Sequence, residues 1–324
     1  MSKKLHEQHE EVIHYTTASG LHGIVTSKTI WASHTSFLND TEEVVGFFNR
    51  VLPMLLRPEF ERHVMESGHL TARIQAAREL GVDLFDHWLR QIIKEGFWEA
   101  ERRAQDHYVA SFCTTDDPWI SEHGLLSQWR GYGLDGGYAV VFDSAELDSL
   151  LTAESQIYYE ERLMWADAQY HMSELGNVRD EQVLEHLQKI MDSVCRHLKT
   201  DDIEEAYPAL ESISLLSTIC KHKGFEEEKE VRIVVSEPSV EIGPDPLKES
   251  EKPYRKAHSF VRDGVPVPCI HLFEDQKLKT LPIRRIIVGP HPEKLHRKRA
   301  VEILLHNHGI KATVSVSDTP FRGR

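Results

Sequence analysis

Hydrophobic and polar positions change period twice within the first thirty-odd residues. Val12 to Thr16 predicts a short strand, Thr17 or Ser19 caps a helix carrying Leu21, Ile24 and Val25, and Ile30 to Ser33 predicts a second strand. In "LNDTEEVVGFFNRVLPMLL", Asn39 or Asp40 stands as N-cap with acids in the first turn, so another helix follows. Residues 59–107 are charged, with apolar side chains recurring at Leu80, Leu84, Trp88, Ile92 and Phe97, which predicts two or three helices and a helical insertion over 41–106. "HYVASFCTT" (107–115) reads as a strand, and the turn Asp135-Gly136-Gly137 precedes a strand from Tyr138 to Phe142. Residues 160–220 predict two long helices separated by "KTDDIEEAYP", a second helical insertion. The Pro- and charge-rich stretch 240–260 reads as loop, and "IRRIIVGPHPEKLHRKRAVEILLHNHGIKATVSVS" reads as strand, turn, helix, Gly309 terminator and strand. Strands stand at both ends and in the centre with helices between, and no linker divides the chain, so 1–324 is expected to be a single α+β domain.

Composition narrows the class. The 324 residues are 40% hydrophobic and 28% charged, ordinary globular usage, which argues against wholesale disorder. The start lacks the apolar core of a secretory signal and no run approaches the length of a membrane span, so a cytoplasmic protein without membrane contact is expected. Cys113, Cys195, Cys220 and Cys269 are scattered without a C-x-x-C pair and read as reduced thiols. A net charge of −14 disfavours a general nucleic-acid coat. The segment Arg284 to Arg324 runs against that balance, with nine Lys/Arg and three Asp/Glu, and reads as a phosphate-facing patch or, more commonly, the solvated face of a helix.

The chemistry-bearing candidate is "KHKGFEEEKEVRIVV" (221–235). Read as one strand from Glu228 to Val235, Glu228, Glu230 and Arg232 share one face while Val231, Ile233 and Val235 take the other. Carboxylates at i and i+2 lie roughly 6.5–7 Å apart along the chain. That is close enough to share a ligand, although a solvated charged lip at a strand entrance is the blander outcome. No glycine fingerprint of a dinucleotide fold or P-loop occurs, and G-x-S-x-G is missing. His291/His296 and His306/His308 lack the i, i+4 spacing that places two imidazoles on one helical face, His222 is a weaker candidate, and no metal site is expected. "SQWRGY" offers Trp129, Arg130 and Tyr132 for stacking on a base or nicotinamide, against the alternative of a core tryptophan.

Two resemblances follow from these motifs. The opening H-Y-T at 14–16, the middle S-F-x-[ST] at 111–114 and the late E-x-E-V-x-I at 228–233 resemble, in that order, the three-part signature of the ADP-ribosyltransferase superfamily. Over nearly its whole length the chain also resembles the bacterial domain of unknown function 2971 family, through "HYTTASGLHGIVTSKTIWASHTSFLNDTEE", "LSQWRGYGLDGGYAVVFD", "EKEVRIV", "IRRIIVGP" and "SVSDTPFR". The transferase resemblance implies a split-sheet core with helical insertions and NAD as substrate, its ADP-ribose passing to a macromolecular acceptor or to water, in a toxin or phage-defence setting. It further implies that His14 bonds a ribose hydroxyl, that Tyr15 or Tyr132 stacks on nicotinamide, and that Thr16, Ser111, Thr114 and Trp129 shape the site. Glu230 would stabilise the oxocarbenium-like transition state, Glu228 would position the acceptor, and Arg130 and Arg232 would neutralise pyrophosphate. Two rival readings are a non-catalytic nucleotide or nucleic-acid sensor, and a nuclease using Glu226, Glu228 and Glu230 around magnesium. The sensor reading predicts binding without turnover, and the feature that discriminates it is whether Glu230 faces the same cavity as His14.

Overall fold

A computed structural model describes residues 5–38, 46–67, 75–77, 79–89, 105–132, 136–159, 162–170, 172, 178, 180–200, 202–238, 252–262 and 264–320. Its strands are β1 (Glu11–Thr16), β2 (Ile30–His34), β3 (Gln105–Cys113), β4 (Tyr138–Asp143), β5 (Arg162–Asp167), β6 (Glu230–Pro238), β7 (Ala257–Arg262), β8 (Val265–Leu272), β9 (Ile283–Val288) and β10 (Thr313–Val316). The helices are α1 (Leu5–Gln8), α2 (Ala18–Ser27), α3 (Leu52–Ser67), α4 (Leu84–Trp88), α5 (Pro118–His123), α6 (Leu126–Tyr132), α7 (Ser144–Ile157), α8 (Glu181–Thr200), α9 (Tyr207–Ile219) and α10 (Lys294–Asn307). Among the described residues, ten strands join one mixed sheet, parallel only between β9 and β10.

β3 organises the sheet. One of its edges pairs with β6 along its whole length, from Gln105 opposite Pro238 to Cys113 opposite Glu230. The other edge is shared: Cys113 pairs with Ile13 of β1, while Val109 and Tyr108 pair with Ser33 and His34 of β2. The sheet therefore forks along this edge, with β10-β9-β4-β1 on one limb and β2-β8-β7 on the other. Helix α2 joins the two limbs. Thr17 caps it by accepting from the Gly20 amide at 3.2 Å, as the residue types predict. A Cβ at Gly23 would lie 2.6 Å from the Trp31 ring, so the absence of a side chain there lets the helix settle on β2.

Period-2 alternation sorts the strand residues onto two faces. On the first face Val12, Phe112, Val140, Val231 and Ile233 pack with Leu21 and Ile24 of α2, Leu147 and Leu151 of α7, and Val301 and Leu305 of α10. On the second face Val109 and Val234 pack under α3, α8 and α9. Further along that face Ile13, Tyr15, Cys113, Val141 and Ile287 enclose Leu125 and Trp129 of the α6 region. Glu230 and Arg232 occupy the seam between these two second-face clusters, because they alternate with the first-face residues Val231 and Ile233.

Several expectations are corrected. Residues 162–167 form strand β5 against β6, so 160–220 is not two helices alone; "RLMWAD" lacks the alternation that would announce a strand, and its pairing with β6 supplies the ordering. The expected loop 240–260 includes the start of β7, which is stabilised by pairing with β8. The helix expected from Asn39 or Asp40 begins outside the described residues; a helical segment is present from Phe47 onward, first as a π-turn and then as α3. Of 59–107, α3 and α4 are helical, and 68–74, 78 and 90–104 lie outside the described residues. The closing strand, helix and strand occur as expected, with Gly309 left-handed at φ 68°.

Candidate functional site

β6 begins at Glu230, two residues later than the sequence pattern suggests. Glu228 instead ends a 3-10 turn, Lys223–Glu228, whose entrance His222 caps by accepting from the Gly224 amide at 3.1 Å. The break is Lys229, left-handed at φ 42°. Thr114, the residue after β3, holds that conformation: its amide and its hydroxyl both donate to the Lys229 carbonyl, at 3.1 and 2.8 Å. The reversal between Glu228 and Glu230 turns both carboxylates onto one cation. Lys221 Nζ donates to Glu228 at 2.6 Å and to Glu230 at a still closer approach.

Arg232 completes the cluster. Its Nε and Nη2 donate to the two oxygens of Glu230 at 2.7 and 3.2 Å, and its Nη1 donates to the Thr218 carbonyl at the end of α9 at 2.6 Å. The Glu230 amide donates to the Tyr170 hydroxyl at 2.8 Å. All four charged side chains are buried, Arg232 at 1% exposure and Glu230 at 4%. Burial alone would raise the Glu230 pKa, but Arg232 and Lys221 outweigh it and hold the carboxyl down at about 2. Glu228 differs: burial dominates over Lys221 and shifts its pKa upward. Two carboxylates separated by a single residue are thus driven in opposite directions by their surroundings. Lys221 also stands between them, where a magnesium ion bound by Glu228 and Glu230 would have to sit. Lys221 and Tyr170 were not singled out in the sequence; Lys221 opens the charged stretch itself, whereas Tyr170 carries no signal before the fold is known.

β1 carries the other candidates. Register with β4 pairs His14 with Val140 and Tyr15 with Ala139, placing His14 on the first face and Tyr15 on the second. His14 and Glu230 therefore lie on opposite faces of the sheet. His14 sits at the fork, its ring 5.7 Å from Phe112, and donates Nδ1–H to the Ser111 carbonyl at 2.9 Å. Its pKa is lowered because burial outweighs that hydrogen bond, so Nε2 carries a lone pair, and it has no partner among the described residues. Thr16 is on the same face, with its hydroxyl against Gly20 of α2.

Tyr15 accepts from the Leu125 amide at 2.7 Å and meets Trp129 edge to face at 5.0 Å, so it is a packing residue rather than a free stacking platform. Trp129 is fully buried, donates Nε1–H to the His123 carbonyl at 3.0 Å, and is a core anchor; the stacking role expected of it is corrected on that ground. Arg130 is exposed on α6, and the side chain of Tyr132 lies outside the described residues. The Ser111 side chain shares the second face with Arg232, its register partner. A cavity of about 330 Å³ lies between α3 and α8, lined by Arg62, Met191 and Arg196 among others, and contains none of these candidates.

The fold and this cluster define an α+β protein built on a forked mixed sheet, with a buried four-charge network on one face and a neutral histidine at the fork on the other. Residues 128–233 match the family model described as Protein of unknown function (DUF2971). The match runs from α6 to β6 and includes Lys221, Glu228, Glu230 and Arg232, but not β1 or β3. No curated protein and no solved structure matches the chain significantly. Among the described residues, no helix is long and apolar enough to cross a membrane.

Proposed function

We propose that the chain is a nucleotide-binding sensor module in which the fork beside His14 receives the ribose of a dinucleotide of the NAD type, and that a macromolecular partner reads the bound state. The observation that carries this reading is the state of His14: neutral, oriented by the Ser111 carbonyl, and left with an unpartnered Nε2 where the edge of β3 passes from one strand to another. Such a nitrogen accepts a hydrogen bond from a sugar hydroxyl. Neither member of the Glu228–Glu230 pair shares that face, and both are neutralised by Lys221 and Arg232, which favours binding without bond cleavage.

ADP-ribosyl transfer from NAD is the second reading, and the ionised state of Glu230 supports it. A carboxylate held charged at a fixed place suits stabilisation of an oxocarbenium-like transition state, with Glu228 positioning the acceptor once Lys221 is displaced. One experiment separates the two. NAD is titrated calorimetrically into the purified protein, and nicotinamide release is followed in parallel with chelator present. Saturable binding without release, lost in a folded His14→Ala variant, is the expected outcome. Release that disappears in Glu230→Gln replaces the sensor with the transferase. Absence of both binding and release refutes the two together.

A further inference from the structure

On the other limb of the sheet, three residues far apart in sequence converge. β7 and β8 pair with His258 opposite Cys269, which leaves His258 diagonal to His271. Their imidazoles stack at 4.0 Å with 6° between planes, and Trp31, the β2 partner of His271, covers the opposite side of that ring at 5.3 Å and 9°. Just past β8, Phe273 adopts a left-handed φ of 72° with its ring buried, and the turn carries Glu274 back toward β7. Glu274 Oε2 then lies 3.1 Å from His258 Nε2. One donor atom from each of His258, His271 and Glu274 lies within 4.8 Å of the others.

We propose that His258, His271 and Glu274 form a binding site for a divalent transition-metal ion of the zinc class. Two imidazoles and a carboxylate, with a fourth position open to water, are a donor set that such ions favour. His271 has no hydrogen-bond partner among the described residues, which leaves a ring nitrogen open to a ligand. An ion about 2.0–2.2 Å from each ligand sets tetrahedral donor atoms roughly 3.4 Å apart. The His258–Glu274 pair, at 3.1 Å, is already close to that spacing. Parallel rings aim their in-plane lone pairs along parallel lines, so one imidazole must turn for both to reach the same ion. His258, with 29% of its side chain exposed on the edge strand β7, is the ring free to do so, whereas His271 is sandwiched between His258 and Trp31.

The test is titration of the metal-free protein with Co²⁺ alone, followed by its visible absorption, and then displacement by Zn²⁺. One saturable equivalent per chain is expected, displaced stoichiometrically by Zn²⁺. His258→Gln and His271→Ala should each weaken binding on the order of a hundredfold or more, while His306→Gln on α10 leaves it unchanged. The partly exposed position of His258 on an edge strand makes its variant a readout even if His271→Ala fails to fold. Absence of saturable binding, or equal affinity in folded His258→Gln, overturns the proposal.

Discussion

Glu230→Gln tests the charge network most directly. The substitution keeps shape and volume but removes the negative charge that receives Arg232 at 2.7 and 3.2 Å and Lys221 on the second oxygen. Among the described residues, what remains in the cluster is Lys221 and Arg232 beside Glu228, with the carboxylate nearest Arg232 removed from a site where Arg232 is 1% exposed. Removing one partner from a buried ion-pair network costs about 3–5 kcal/mol. Protonation gives a second route to the magnitude. Lowering the Glu230 pKa from 4.5 to about 2 corresponds to about 3 kcal/mol of stability near neutral pH, the same order. Because the folded-state value is depressed, that stability is fully present above 4.5 and is lost as pH falls toward about 2. Urea unfolding of wild type and variant at about pH 7 and about pH 3 is the assay. The variant should be less stable by about 3 kcal/mol at neutral pH, with the difference shrinking as wild-type Glu230 protonates. A neutral-pH difference below about 1 kcal/mol, or one that does not vary with pH, would refute the assignment of the cost to charge.

Glu228→Gln should behave differently, because burial raises the pKa of that carboxyl and its ionised form is disfavoured despite Lys221. Its removal still leaves Lys221 and Arg232 against the single charge of Glu230, so the same unfolding assay should find a loss of stability at neutral pH, smaller than that of Glu230→Gln. At Gly289 an added Cβ would fall 1.6 Å from the Gly136 carbonyl oxygen and 2.9 Å from the Trp129 ring. Backbone cannot yield as a flexible side chain does, so Gly289→Ala should cost about 3 kcal/mol or more, read as a lower melting temperature and a loss of near-ultraviolet tryptophan dichroism.

Local patterning in the chain determined the elements whose ordering is local. Thr17 caps α2 within four residues of β1, and the closing β9–α10–β10 unit carries its own terminator in Gly309. The opposition of Glu230 and Arg232 to Val231 and Ile233 was likewise present in the sequence, because side-chain alternation is a property of any strand. The placement of Glu228 was not: its departure from the strand depends on Thr114, which lies more than a hundred residues earlier and fixes Lys229 in a left-handed conformation.

Only tertiary structure decided which candidates meet. Alternation states which residues of one strand share a face, but strand pairing and register decide which residues of different strands do. Pairing through β3 sends His14 and Glu230 to opposite faces although their motifs stand in the expected chain order. Pairing of β5 with β6 makes a strand from a segment without alternation, and the turn after β8 joins His258 and His271 to Glu274. Burial pushes both Glu228 and Glu230 toward the protonated form, and the opposite outcome at Glu230 arises because Arg232 and Lys221, brought there by the folded chain, outweigh it.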